Sequence, residues 1–169
     1  MLDVDHHKVG AGVNLGIGTD TFPHNFVEEL RTAAILARIA AGNAHAVTAA
    51  DVFTAATIGG ACALGRDDLG RLAPGAKADF VMVDIAHPAM QPLYDPVRSM
   101  VYAAAERAVR HVFVGGQPVV RDGKALTFDY ADASARLATA QQRAIEKVPR
   151  LDWAGRSAAE IIPLTFRSG

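Results

Sequence analysis

One alternating segment, Val13-Asn14-Leu15-Gly16-Ile17-Gly18-Thr19, runs straight into Asp20 and then into a helical pattern, and it limits what this chain can fold into. Val13, Leu15 and Ile17 share one parity, while Asn14, Gly16, Gly18 and Asp20 share the other. Alternation of this kind predicts a strand with an apolar face toward a helix layer. The second face carries almost no side chain, which suits a crowded barrel interior or the close approach of a ligand. A single strand followed by a helix cannot stand alone, because both of its edges are left unpaired. The sheet that completes it is expected from elsewhere.

The helix after Pro23 is predicted over Asn25 to Ala41, with Phe26, Leu30, Ala33, Ala34, Ala37 and Ala41 at helical spacing and Gly42-Asn43 at its end. Thr48 with Asp51 reads as an N-cap with an acid in the first turn, opening a helix through about Thr57. Gly59-Gly60 is expected to interrupt it, with Ala61–Leu64 as a last short turn. The character changes near Asp67. Ala78–Ile85 is β-rich, a loop punctuated by Pro88, Pro92 and Pro96 follows, and Val97–Ala105 is expected to be helical. Val109–Val114, Gly115-Gly116 and Gln117–Arg121 spell a hairpin, and Asp122-Gly123 a second turn into Lys124–Thr127. Asp129 to Val148 is a long Ala-rich helix, and the tail from Pro149 holds Trp153, read as a packing segment.

Charge excludes some functions. With 17 basic and 18 acidic residues mixed along 169, the net charge is −1 and no basic stripe exists to neutralise phosphates. Nucleic acid is therefore not an expected partner. No apolar run approaches the roughly 20 residues of a membrane span, so no membrane role is expected. A single cysteine, Cys62, rules out an internal disulfide, and the acidic opening lacks the pattern of a secretory signal; both predict a cytoplasmic protein.

Among groups that could carry chemistry, Asp20 leads. It follows a strand and precedes a loop and helix, the place from which barrel enzymes present catalytic groups. A carboxylate there can hold a divalent metal and take a proton from the water beside it, or it can simply cap a turn. His24, four residues on, is either a contact for substrate or a solvent-exposed loop histidine. The other histidines are His6, His7, His45, His87 and His111. No pair stands at His-x-His or at i, i+4, and the adjacent His6 and His7 would face opposite ways on a strand, so these residues alone predict no zinc site. Cys62 reads as a small core residue. No GxSxG, no GxxxxGK and no GxGxxG leading into a helix is present.

Several segments, taken together, resemble the amidohydrolase superfamily in its cytosine-deaminase-like and triazine-hydrolase-like branch. Gly16-Ile17-Gly18-Thr19-Asp20 is similar to the family's GxGTD at the end of the last barrel strand, and Asn25–Arg31 to the helix after it. Ala55-Ala56-Thr57-Ile58-Gly59-Gly60-Ala61 with Ala63-Leu64-Gly65, then Leu69–Val81, then Val112–Gly123, match three further family segments in order.

The resemblance implies an α/β fold, namely the C-terminal portion of a (β/α)8 metal-dependent hydrolase barrel plus part of a composite β-sandwich. Residues 1–66 would be the last βα unit and its following helices, 67–128 the sandwich portion with a connecting helix, and 129–169 a closing helix and tail. It further implies Asp20 as catalytic proton acceptor and metal ligand, with His24 and Asn25 as substrate contacts. The cofactor would be a divalent metal, zinc or iron, whose other ligands this chain does not encode. The reaction would be hydrolysis or deamination at a C–N bond, or loss of a halogen, on a small heterocyclic substrate. The chain alone is expected to be an inactive C-terminal piece that needs an N-terminal half. The alternative is a non-catalytic assembly piece that self-associates through exposed β edges.

Overall fold

The computed structural model describes residues 13–20, 24–103 and 105–165, so His6, His7 and Thr21–Pro23 lie outside the described residues. The chain divides into two compact units, one ending at Leu126 and the other starting at Thr127.

The first unit is built on helices. Helix α1, Phe26–Ala41, begins where Asn25 in extended backbone accepts the Glu28 N–H, so Asn25 is the cap and not the first helical residue. Glu28 and Glu29 in the first turn and Arg38 in the last complement the helix dipole, and Gly42 ends it in the left-handed region at φ 60°. Helix α2, Ala49–Thr54, opens on a full capping box between Thr48 and Asp51. Gly59-Gly60 does not interrupt it. The helix widens into a π-turn over Ala55–Gly59 and continues as α3, Gly60–Ala63. Helix α4, Pro96–Tyr102, starts on an Asp95 cap with proline at its first position.

Leu30, Ala34, Ala37, Val47, Ala49, Val52 and Val101 form the buried core between α1, α2 and α4. Small residues dominate it, which lets helices of modest length approach closely. Leu15 and Ile17 pack against this core, as their parity predicts. Residues 13–20 nevertheless belong to no β-ladder. A strand needs a neighbour to donate to, and the described residues offer this segment none.

The described strands form one antiparallel sheet in the order β1 (Phe80–Val83), β2 (Val109–Val114), β3 (Gln117–Arg121), β4 (Lys124–Ala125). Both turns between β2 and β4 have two consecutive positive φ values: Gly115 57° and Gly116 78°, then Asp122 50° and Gly123 74°. This is the geometry that matches the twist of a two-residue hairpin. Phe80 and Phe113 pair across β1 and β2 with ring centroids 4.5 Å apart. The Asp79 carboxylate accepts the Gly115 N–H at 2.6 Å, which ties the Ala78-Asp79 segment to a turn 36 residues away. A smaller core of Met90 and Ala108, with Val83, Leu93 and Met100, lies beside the sheet.

In the second unit, helix α5 spans Tyr130–Leu151 from an Asp129 cap that accepts the Ala131 and Asp132 N–H groups. None of its residues is buried. It ends two residues past Pro149, whose ring nitrogen cannot donate. A second capping box, Ser157 with Glu160, opens α6, Ala158–Ile161. Trp153, read as part of a packing segment, is 90% exposed. Its ring instead carries the Arg156 guanidinium, 5.5 Å from the centroid. Cys62 is likewise exposed, not a core residue. It lies on α3, a single turn of helix whose buried residue is Ala61, so its thiol faces outward.

Candidate active site

Asp20 sits where the half-buried segment Leu15–Ile17 gives out, and its side chain is exposed. Its backbone is left-handed at φ 50°, a conformation non-glycine residues adopt rarely and aspartate more readily than most. The conformation alone does not mark a site, since Asp122 has the same φ in an ordinary hairpin turn. Position distinguishes them. Asp20 ends a segment docked on the helical core, while Asp122 follows a strand.

His24 returns to this place from the far side of the loop. Its Nδ1 lies 3.2 Å from Thr19 Oγ1, so the residue before Asp20 and the residue before the helix cap are in direct contact. Either tautomer sustains that hydrogen bond, and in both the Nε2 edge remains directed elsewhere. The Asn25 Oδ1 is committed to the Glu28 N–H, so its amide nitrogen is the group left to serve a ligand. Thr19, which carries the contact, is not singled out by sequence; its place beside Asp20 in the Gly-Thr-Asp run is the available signal.

The opposite parity of the segment behaves differently from expectation. Gly16 does not look into an interior: a Cβ there would meet the Gly60 Cα at 3.4 Å and the Ala63 Cβ at 3.9 Å. Asn14 donates its side-chain amide to the Gly59 carbonyl at 3.1 Å. Of that parity, Gly18 has open space around the position of its missing side chain, and Asp20 is exposed. The segment therefore lies on α2–α3 at its start and comes free of it toward Asp20.

Among the described residues no three His, Cys, Asp or Glu side chains come together as a metal-holding group. Asp20 fits one position of such a set by chemistry and exposure, and the described residues do not furnish the rest. A concavity of about 400 Å³ lined by Tyr94, Asp95, Arg98, Ser99 and Tyr102, among others, does not include Asp20. No helix among the described residues is long and apolar enough to cross a membrane.

Comparison with known proteins gives a consistent result. Residues 6–119 match the model of the amidohydrolase family. The chain is 41% identical over 146 residues to a 5-methylthioadenosine/S-adenosylhomocysteine deaminase of Natronomonas pharaonis, covering 84% of this chain and 33% of that protein. It is 34% identical over 143 residues to the corresponding deaminase of Nitratidesulfovibrio vulgaris, covering 82% and 32%. Among solved structures it resembles an adenosine deaminase from Xanthomonas campestris with bound zinc, with TM-score 0.76, 37% identity, and coverage of 82% and 33%. A zinc complex of atrazine chlorohydrolase from Arthrobacter aurescens follows at TM-score 0.72 and 26% identity, covering 79% and 31%. The chain thus spans about a third of the length of the relatives it matches.

Proposed function

Because this chain belongs to the amidohydrolase family, we propose that it contributes Asp20 as the proton-transferring carboxylate and one metal ligand of a hydrolase that deaminates a small heterocycle. The carrying observation is the Gly16–Asp20 run within the family match over residues 6–119. In this reading residues 13–20 and the helices after them are the last βα unit of a barrel, and the sheet is part of a sandwich. The remaining metal ligands belong to the portion of the fold that the relatives have and the described residues do not.

Given the relatives, the substrate class is an adenine nucleoside, such as a thioether-bearing one, with ammonia as leaving group. A bound divalent ion, zinc by likeness to the solved neighbours, supplies a water acidic enough to ionise near neutral pH. A carboxylate oxygen of Asp20 takes the proton from the attacking water and returns it to the departing amine, one group serving both steps. The left-handed backbone turns that carboxylate outward from the helical core, toward whatever completes the mouth. His24, fixed by Thr19, presents its outer ring edge to the substrate, and the Asn25 amide nitrogen is a second donor. A single exposed thiol suits a reducing compartment such as the cytoplasm.

Complementation tests this. The chain is combined with the first two thirds of one of these deaminases, and ammonia release is measured on adenine nucleosides, cytosine-like rings and chlorotriazines. Turnover should appear on the adenine nucleosides, and Asp20→Asn should lower it by roughly 10²- to 10⁴-fold without lowering the melting temperature. A mixture made with the Asp20→Asn chain that is as active as the parent would remove Asp20 from the chemistry. The second reading, self-assembly, is favoured by exposed Leu137 and Leu151 on α5. A concentration-independent monomer by light scattering would discard it.

A further inference from the structure

Resting on the reading of Asp20 as the reacting group, we propose that Thr19 is a positioning residue that makes His24 a hydrogen-bond donor at Nε2. The loop then presents donors, and the part of the substrate that meets it is an edge of acceptors.

The polarity follows from two contacts made within the chain. Thr19 Oγ1 and His24 Nδ1 lie 3.2 Å apart. A hydroxyl both donates and accepts, and its hydrogen turns to suit the partner. The bare nitrogen of a neutral imidazole is a far stronger base than an alcohol oxygen, so the better-matched bond runs from the Thr19 O–H to Nδ1. The nitrogen that carries the proton in a histidine is set by the bond the other nitrogen makes. With Nδ1 accepting, the proton of the neutral ring is on Nε2.

Asn25 gives the same polarity by an independent route. Its Oδ1 accepts the Glu28 N–H at 3.3 Å, and in an amide side chain only the oxygen can accept. The cap therefore fixes which end of the amide is committed, and the NH2 group is the end that remains. An adenine nucleoside carries acceptors at ring N3 and N7 and at its ribose hydroxyls. Asp20 serves the edge that bears the leaving amine, so the donors of His24 and Asn25 fall to those other acceptors. A ring with an N–H at the facing position would meet donor with donor and be rejected, because an unmatched polar group costs more than a contact that is merely absent.

The first test uses the whole chain and needs no turnover. Ring ¹⁵N resonances of His24, assigned by their loss in His24→Ala, are recorded at about pH 8.5, roughly two units above the ordinary imidazole value. The parent should show a bare Nδ1 and a protonated Nε2, Thr19→Ser should keep that pattern, and isosteric Thr19→Val should move both nitrogens to their values in the denatured chain. A protonated Nδ1 in the parent, or a parent indistinguishable from Thr19→Val, would overturn the proposal. The second test uses the complemented enzyme, where Thr19→Val should raise KM roughly 2- to 10-fold with kcat little changed, the loss of one hydrogen bond of typical net strength. Among 3-deaza, 7-deaza and ribose-deoxy adenine nucleosides, the analogue lacking the facing acceptor should lose that sensitivity. Equal sensitivity across the series would refute the acceptor edge. A mixture without turnover would count against Asp20, while the ring resonances would still decide the role of Thr19.

Discussion

Arg38 lies with its guanidinium 4.9 Å from the centroid of the Tyr102 ring while its Nε donates to the Val47 carbonyl at 2.7 Å. One side chain on α1 thus ties the loop before α2 to the end of α4, over the same core that carries Leu15 and Ile17. The planar guanidinium stacks and donates sideways at once, which an ammonium on a flexible stem does not reproduce.

Arg38→Ala should destabilise the first unit by about 1–2 kcal/mol, from one part-buried hydrogen bond and one cation–π contact. Arg38→Lys should recover less than half of that loss. Urea denaturation followed by circular dichroism measures both, and equal stability of the lysine variant and the parent would contradict the stacking role.

Asp20 holds a left-handed backbone with its carboxylate in solvent, so its conformation costs stability that its side chain does not return within this chain. Asp20→Gly should raise stability by up to about 1 kcal/mol. The same change removes the carboxylate and should abolish turnover in the complemented enzyme. A lower melting temperature for Asp20→Gly would mean that the side chain caps a turn.

The Asp152 carboxyl is pulled down to about 2, first by the Arg156 side chain and then by the Arg156 and Ala154 N–H groups. A depressed folded value means the contribution is present above the ordinary carboxylate value, about 3.9. It is lost as pH falls from there through about 2. Arg156 also lies over Trp153, so release of the pair should change the emission of the only tryptophan in that window. Asp152→Asn should remove the transition, and an unchanged titration would assign it to another carboxylate.

Cys62 is exposed, so its thiol should react with a disulfide reagent in the native state, one equivalent per chain, at a rate within about tenfold of the denatured chain. Protection until denaturation would restore the core reading of this residue.

Much of the local structure was legible in the sequence because it is written in neighbouring residues. The Thr48/Asp51 capping box, the Gly42 stop, and the Gly115-Gly116 and Asp122-Gly123 hairpins each depend on a few adjacent φ values and hydrogen bonds. Val109–Val114 and Gln117–Arg121 have the bounds expected from the turn between them. The Gly-Thr-Asp run singled out Asp20 by its place after an alternating segment.

Long-range placement was a different matter. Gly59-Gly60 reads locally as a helix break, yet the helix continues through a π-turn because another segment lies too close for any side chain. Asn14 reads by parity as facing away from the helices, yet it bonds to one. The alternating segment has the composition of a strand, but pairing requires a partner strand and the described residues provide none. Trp153 reads as part of a packing segment and Cys62 as a core residue because such residues usually are, while their exposure depends on which surfaces fold against them.

The sequence by itself determined the caps, the turns, the hairpin strands and the family, since these follow from short-range chemistry and from motif order. Only the tertiary structure decided that Thr19 meets His24, that Asn14 meets Gly59, and that the segment bearing Asp20 is seated on a helix. Those contacts join residues whose separation in the chain carries no pattern, and only packing brings them together.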